Sequence, residues 1–368
     1  MRVASDGDQF YIDLGDPGWH AVRITGGGWS VVQSPPVRFR RTPDMRALPF
    51  PERGTPITAL REFLPNVSEG DFTLIVAVLL AILQPRGPYP VFVAIGEHGA
   101  AKTTLLRIMR ALTDPSRVMT APLPSSGRDL FIACLNSHVQ AFENVSELSD
   151  AMSDHLCRIS TGAGMRTRKF FTNADETLFV ARARPITMEG IGSFISRPDL
   201  LDRSIVLSLA PLRHRKTEGA LWAEFDRRKA GIFGALCDML VSGVRQFPEI
   251  HLVNPPRMAD FATWAVACGL DTFEAAFSQN RQHATDVILD EDVLAQSIKA
   301  LVAEKGQWRG TAMELLTQIG PAARITLPKV LSERLSRLAP ALRSHGICVS
   351  HEPRSANRRE ITIARIEQ

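Results

Sequence analysis

The apolar positions of this 368-residue chain fall into three successive patterns. In the first 45 residues, short runs are separated by Asp-Pro-Gly and Gly-Gly-Gly turns, which predicts strands over 10–14, 20–25, 29–33 and 36–40. So few apolar residues make a poor independent core. Residues 1–45 therefore read as a small β segment, either an appendage or the tail of a domain carried upstream. The proline-punctuated residues 46–70 read as a linker.

From residue 71 the runs become continuous. Residues 72–83 are almost wholly apolar but too few to span a bilayer, which takes roughly 20, and they predict a buried helix over 71–84. A strand over 91–95, a glycine-bearing loop and a helix over 102–112 follow, then apolar runs at 139–142, 185–188 and 204–209. Short buried strands alternating with helices predict an α/β fold with a parallel sheet over 71–212. Residues 213–285 lack strand-like runs and predict helices, among them 221–229 and 257–268. Residues 290–368 predict helices over 292–304, 312–319 and 327–344 closed by strands over 347–351 and 360–363, the order of a winged-helix domain. Leu327, Leu331, Leu335, Leu338 and Leu342 form one apolar stripe. Pro340 is expected to kink or end that helix, leaving 327–338 to face a groove.

Composition narrows the class. With 45% apolar and 22% charged residues the chain can bury a core, which excludes wholesale disorder. The net charge of +4 permits a polyanionic partner without demanding one. The charge is uneven, however: residues 305–368 hold eleven basic and five acidic side chains, so the rest is slightly acidic. Five scattered cysteines without a Cys-x-x-Cys pair exclude a disulfide framework or zinc cluster and read as reduced thiols of a cytosolic protein. Residues 1–11 lack the apolar core of a secretory signal, and no membrane partner is expected.

The chemistry concentrates in Gly96, Glu97, His98, Gly99, Ala100, Ala101, Lys102, Thr103 and Thr104, between a predicted strand and a predicted helix. Gly96 and Gly99 let the backbone curl until several N–H groups point at one phosphate, helped by the positive end of the following helix. Lys102 would reach the β- and γ-phosphates and Thr103 would offer its hydroxyl to Mg²⁺. The competing reading is an ordinary strand–helix turn that holds Gly and Lys, with Ala101 where glycine is usual. A second strand ending in an acid beside the Mg²⁺ is supplied by 139–142 and Glu143. The next position, usually a carboxylate that polarises water, is Asn144; an amide orients water but cannot take its proton, which leaves Glu147 or Asp150 as substitutes.

In order and spacing, these segments resemble AAA+ ATPases of the helicase clade that includes superfamily 3 helicases, phage and plasmid primase-helicases and minichromosome-maintenance helicases. The last group also carries alanine before the loop lysine. Residues 156–169 resemble the stretch that precedes a basic channel hairpin in phage primase-helicases, and 197–203 resembles the segment bearing the arginine finger, here Arg203, against the alternative of a surface arginine paired with Asp199 or Asp202. Arg257 resembles the start of the sensor-2 helix in a helical lid, 213–285. The resemblance covers roughly residues 70–270, more loosely 290–368, and implies ATP and Mg²⁺ as cofactors, a homo-oligomer with a hexamer as the candidate ring, and a primase as a candidate partner. Sensor 1, an asparagine in the family, aligns with Glu189. A carboxylate there repels a γ-phosphate unless it is protonated or bound to Mg²⁺. Either Glu189 takes over part of the water activation missing at Asn144, or the site binds ATP and hardly turns it over.

DNA is the expected polymer. Arg166, Arg168 and Lys169, followed by two phenylalanines, suit single-stranded DNA, against the alternative of a solvated turn. Lys329, Arg334 and Arg337 lie off the leucine stripe, and Arg354, Arg358 and Arg359 crown the last turn, which suits duplex contacts; a protein-docking module is the alternative. Two functions remain: an ATP-dependent DNA helicase or replication-initiation motor of a phage, plasmid or integrated element, or an ATP-binding DNA switch that hydrolyses weakly.

Overall fold

The computed structural model describes residues 2–162, 164–168, 176–180, 183–192, 194–195, 197–319, 325–351 and 360–366, with the backbone alone at 164–168, 176–180, 288 and 291. They form two compact units, Met1–Ile195 with Asp199–Arg281, and Gln282–Gln368 with Ser196–Pro198.

The first unit opens on an antiparallel sheet of β1 (Val3–Asp6), β2 (Gln9–Asp13), β3 (His20–Thr25) and β4 (Gly28–Gln33), paired in chain order. The strand expected at 36–40 is absent, because Pro35 and Pro36 offer no N–H to a ladder. Phe10 pairs with Ile24 and Ile12 with Val22, and these side chains enter the same buried cluster as the helices that follow. Phe10 reaches Trp264, ring centroids 5.8 Å apart. The segment is therefore part of the main core, not an appendage.

Arg2 completes that attachment. Its side chain is wholly buried, Nε donates to Asp114 Oδ1 at 3.0 Å, and the other nitrogens donate to the carbonyls of Asp13, Arg46 and Pro115. The second Asp114 oxygen accepts from the His138 and Val139 amides, each at 3.0 Å. A buried ion pair persists only when its remaining donors and acceptors are satisfied, as they are here. Residues within the expected linker also fold, as a 3₁₀ helix over Ile57–Phe63 that buries Ala59, Leu60 and Phe63.

Helix α1 (Glu69–Ile82) starts where the Ser68 hydroxyl accepts from the Asp71 amide, and it is buried from Phe72 to Ile82. A helix apolar on every side must be enclosed, and α1 packs against α2 (Lys102–Thr113), α6 (Glu218–Gln246) and α7 (Ala259–Ala267). The central sheet comprises β5 (Val91–Ile95), β6 (Ala121–Pro122), β7 (Gln140–Glu143), β10 (Ile186–Gly190) and β11 (Ser204–Ser208), in the spatial order β11-β5-β10-β7-β6, all parallel. Between its strands lie α3 (Gly127–Asn136), α4 (Asp150–Thr161), the hairpin β8 (Gly164–Arg168) and β9 (Glu176–Val180), and the short α5 (Pro198–Leu201). On the edge strand β11, the Asn280 side chain accepts from Val206 N at 3.2 Å and donates to Val206 O at 2.6 Å, which blunts an otherwise open edge. Asn280 lies on α8 (Phe273–Glu291).

The second unit contains α9 (Val293–Lys305), β12 (Gln307–Thr311), α10 (Ala312–Ile319), α11 (Pro328–Ser344), β13 (Ile347–His351) and β14 (Glu360–Arg365), with an antiparallel sheet in the order β12-β14-β13. Thr311 and Glu314 exchange backbone bonds as a capping box. Leu331, Leu335, Leu338 and Leu342 share a core with Ile298, Trp308 and Ile363, whereas Leu327 stays exposed as the helix cap. Helix α11 runs on through Pro340 to Ser344, since the carbonyl left without a donor belongs to the exposed Ser336. No helix among the described residues is long and apolar enough to cross a membrane.

His138 is buried with Nε2 2.8 Å from the Ile82 carbonyl, and burial pushes its imidazole down to about 4 from an ordinary value of 6.5 despite the nearby Asp114 carboxylate. The unfolded chain binds a proton that the fold refuses, so stability is full above pH 6.5 and declines as pH falls toward 4. At about 1.4 kcal/mol per unit, His138 is expected to cost about 2 kcal/mol of stability at pH 5, with His138→Gln flattening the decline in urea unfolding.

Candidate functional site

In a parallel open sheet, ligands bind at the carboxyl ends of the strands, where neighbouring connections diverge. Here β5 ends at Ile95 before the 96–104 loop, β7 ends at Glu143, and β10, between them, ends at Gly190. Glu189 pairs with Ala94 and Met188 with Phe142, so Glu189 and Glu143 leave adjacent strands at the same level.

The loop curls back on itself. Gly96 has φ 152° and Gly99 φ 80°, both in the left-handed half of conformational space. An added Cβ at Gly96 would fall 2.4 Å from the Leu209 carbonyl oxygen, so the backbone after β11 leaves room for no side chain. Ala101 also takes a left-handed conformation, φ 58°, immediately before α2. Lys102 is buried and its Nζ donates to the carbonyls of Gly96 at 2.8 Å and Glu97 at 2.9 Å, crossing the mouth of the curl. Glu97, His98 and Gly99 are exposed, Ala100 is buried, and Thr103 and Thr104 are half-buried on the first turn of α2.

Glu189 joins the strand ends. It is buried, and its Oε1 accepts from the Thr103 hydroxyl at 2.9 Å and from the Asn144 amide at 3.3 Å. Glu143 is half-buried and accepts from Thr120 Oγ1 at 2.5 Å, while Asn144, at φ 53°, is exposed. Glu143, Asn144 and Glu147 line an open pocket of about 550 Å³ together with residues 122–125. Among the described residues no group of three or more His, Cys, Asp or Glu side chains makes a metal cage. Thr103 and Glu189, hydrogen-bonded to each other, and Glu143 at the end of the neighbouring strand offer oxygen atoms, the ligand type of a hard cation.

The arginines are elsewhere. Val91 N donates to the Arg203 carbonyl, and Ser204 pairs with Val91, so Arg203 sits at the amino-terminal rim of the sheet, away from its own 96–104 loop. Its Nη1 donates to the Asp199 carbonyl at 2.7 Å. Arg257 joins this rim rather than the loop: its Nη1 lies 3.1 Å from Asp202 and 3.5 Å from Asp199. Arg281, which sequence reasoning missed, meets the same Asp202 at 2.7 Å.

Two further residues carried no sequence signal because they act from afar. Asn66 Nδ2 donates to the carbonyls of Ala100 at 3.0 Å and Ala210 at 2.6 Å, clamping the loop from within the expected linker. Arg215 Nη2 lies 2.1 Å from where a Cβ on Gly99 would stand. Asn66, Phe63, Gly99, Thr104, Arg215 and Leu221 help to line a cavity of about 490 Å³ beside the loop.

Of the expected DNA contacts, Arg166 stands opposite Leu178 and Arg168 opposite Glu176 in the β8–β9 ladder; Lys169, Arg354, Arg358 and Arg359 lie outside the described residues. Lys329 is highly exposed and 3.9 Å from Glu333. Arg334 pairs with Asp292 at 2.8 Å, so its charge is compensated within the second unit, and Arg337 is exposed beside His351.

Residues 59–292 match the actinomycete integrative conjugative element replication proteins. The chain belongs to that family. Residues 294–368 of this replication protein match the AICE RepA C-terminal domain. Among curated proteins none matches. Its similarities to solved structures include the apo C-terminal region of NrS-1 (10% identity, 96% of this chain and 95% of that one, TM-score 0.42). They also include the active helicase Cch of SCCmec type IV (12%, 97% and 78%, 0.48) and JCV helicase (12%, 67% and 64%, 0.30). At TM-scores below 0.5 none of these carries its neighbour's properties to this replication protein.

Gly96→Ala in the replication protein is expected to lower stability by about 1–3 kcal/mol, measured by urea unfolding, because the methyl meets a backbone oxygen at a positive φ.

Proposed function

We propose that this replication protein is an ATP-dependent DNA motor of its element, a helicase or replication-initiation ATPase that works in the cytoplasm as a ring-forming homo-oligomer, with a hexamer as the candidate state and a primase as a candidate partner. The observation that carries the reading is the Thr103–Glu189 bond beneath a loop whose mouth is crossed by Lys102. The amides of residues 96–104 hold the triphosphate, and Lys102 leaves the two loop carbonyls to neutralise its terminal phosphates. Thr103, Glu189 and Glu143 hold Mg²⁺, which supplies charge neutralisation at the phosphates when bound. Glu189 faces Thr103, so its carboxylate serves the metal position and does not oppose the γ-phosphate. Asn144 orients water, and Glu147, which lines the same pocket, accepts its proton.

Arg203 stands on the rim away from its own loop, so it completes a neighbouring subunit's site, with Arg257 and Arg281 alongside. The domain division that follows is an ATPase core over 71–212, a helical lid over 213–285 and a winged helix over 290–368. The β8–β9 hairpin contacts single-stranded DNA through Arg166, Arg168 and Lys169. Lys329, Arg337 and the last turn, with Arg354, Arg358 and Arg359, contact duplex, while Arg334 is largely spent on Asp292. A second reading, an ATP-binding switch that hydrolyses weakly, is favoured by one feature: the residue beside Glu143 is an amide.

Isothermal calorimetry with Mg²⁺ is expected to show ATP binding that weakens roughly ten- to a hundredfold in Lys102→Ala. Glu147→Gln is expected to keep binding and lose turnover. Hydrolysis stimulated by single-stranded DNA supports the motor; binding without stimulated turnover leaves the switch; no binding of ATP by the unmodified protein overturns both.

A further inference from the structure

The nucleotide site makes no use of the amino-terminal segment, yet the turn between β2 and β3 and the chain that follows the sheet each display an aromatic ring to solvent. Trp19 is 51% exposed and takes φ 57°. Bulky side chains seldom adopt this conformation, and burial does not repay its strain here. The turn that enforces it is built on Asp16, whose carboxylate accepts from the amides of Gly18 at 2.9 Å and His20 at 2.8 Å and meets the His20 ring at 2.7 Å. Arg41 covers one face of the indole, 3.8 Å from its centroid, and is itself held by both Asp13 oxygens and the Asp16 carbonyl. The exposure therefore falls on the other face and the edge. Phe50 is 50% exposed, with its ring 5.4 Å from that of His20. Its stretch of chain is fixed by bonds from Arg46 N to Pro115 O and from Leu48 N to Leu14 O.

The surroundings are cationic. Residues 34–53 carry Arg38, Arg40, Arg41, Arg46 and Arg53 against Asp44 and Glu52. The nearby carboxylates of Asp13 and Asp16 are spent on Arg41 and His20. Arg38 and Arg46 are exposed and have no ion-pair partner among the described residues. The excess of five arginines over two acids in residues 34–53 favours a polyanionic partner. Exposed rings beside exposed arginines are the chemistry that single strands select: π-faces for bases and cations for phosphates.

We propose that Trp19 and Phe50, with Arg38, Arg40 and Arg46, form a binding surface for single-stranded DNA, separate from the nucleotide site. The test uses the full chain and a short fluorescein-labelled oligodeoxynucleotide of mixed sequence, followed by anisotropy. Trp19→Ala combined with Phe50→Ala is expected to weaken binding roughly ten- to a hundredfold, while Trp19→Phe retains most of it. Arg38→Ala with Arg46→Ala is expected to reduce the slope of log affinity against log salt by about 1.4. Photocross-linking through brominated uracil is expected to mark the peptide containing Trp19. Unchanged affinity in the double aromatic variant, with thermal melting showing an intact fold, overturns the proposal, as does cross-linking confined to other peptides. Loss of self-association without loss of oligonucleotide affinity also overturns it and assigns the rings to a second protein chain.

Discussion

Strand β10 hydrogen-bonds to β5 on one side and β7 on the other, and this shared ladder governs the geometry of the site. Parallel pairing makes all three strands deliver their last residues to one edge, so the 96–104 loop, Glu143 and Glu189 meet although up to 93 positions separate them in the chain. The fixed register then decides detail: with Glu189 opposite Ala94, its carboxylate reaches the Thr103 hydroxyl and the Asn144 amide. A slip of one residue would turn Glu189 to the other face of the sheet.

The same sheet separates two kinds of charge. Lys102, Glu143 and Glu189 gather at the carboxyl edge, while Arg203, Arg257 and Arg281 gather with Asp199 and Asp202 at the amino edge. Because each strand runs from one edge to the other, both sets are placed by one hydrogen-bonded ladder. Arg257 and Arg281 come from the helical segments that follow the sheet, so the shared Asp202 also ties those helices to it.

Stability in the first unit depends on a buried polar network beside the apolar core. Asp114 accepts from Arg2, Ser137 and the amides of His138 and Val139. Through Arg2 and the Phe10–Trp264 contact, the first strands of the chain are built into the body that holds the site. Removing one partner would leave the other charge buried and uncompensated, the costliest outcome for such a pair.

Much of this was legible locally. The all-apolar α1, the strand–loop–helix around Lys102, the acid after the 139–142 run and the leucine stripe of α11 are patterns of neighbouring residues, and hydrophobic period, glycine spacing and a capping box report them directly. What escaped was contact between residues far apart in the chain. The first 45 residues looked too poor in apolar side chains to fold because their core is shared with α1, α6 and α7. Asn66 and Arg215 lie in segments without motif, yet close on the loop from opposite directions along the chain. Arg257 resembled a partner of the loop, but Asp202, 55 positions earlier, holds it at the opposite edge. Local pattern determines which elements form, since it reflects each residue's own conformational and solvation preferences. Which distant side chains then meet is decided by strand order and register, which exist only once the sheet has assembled.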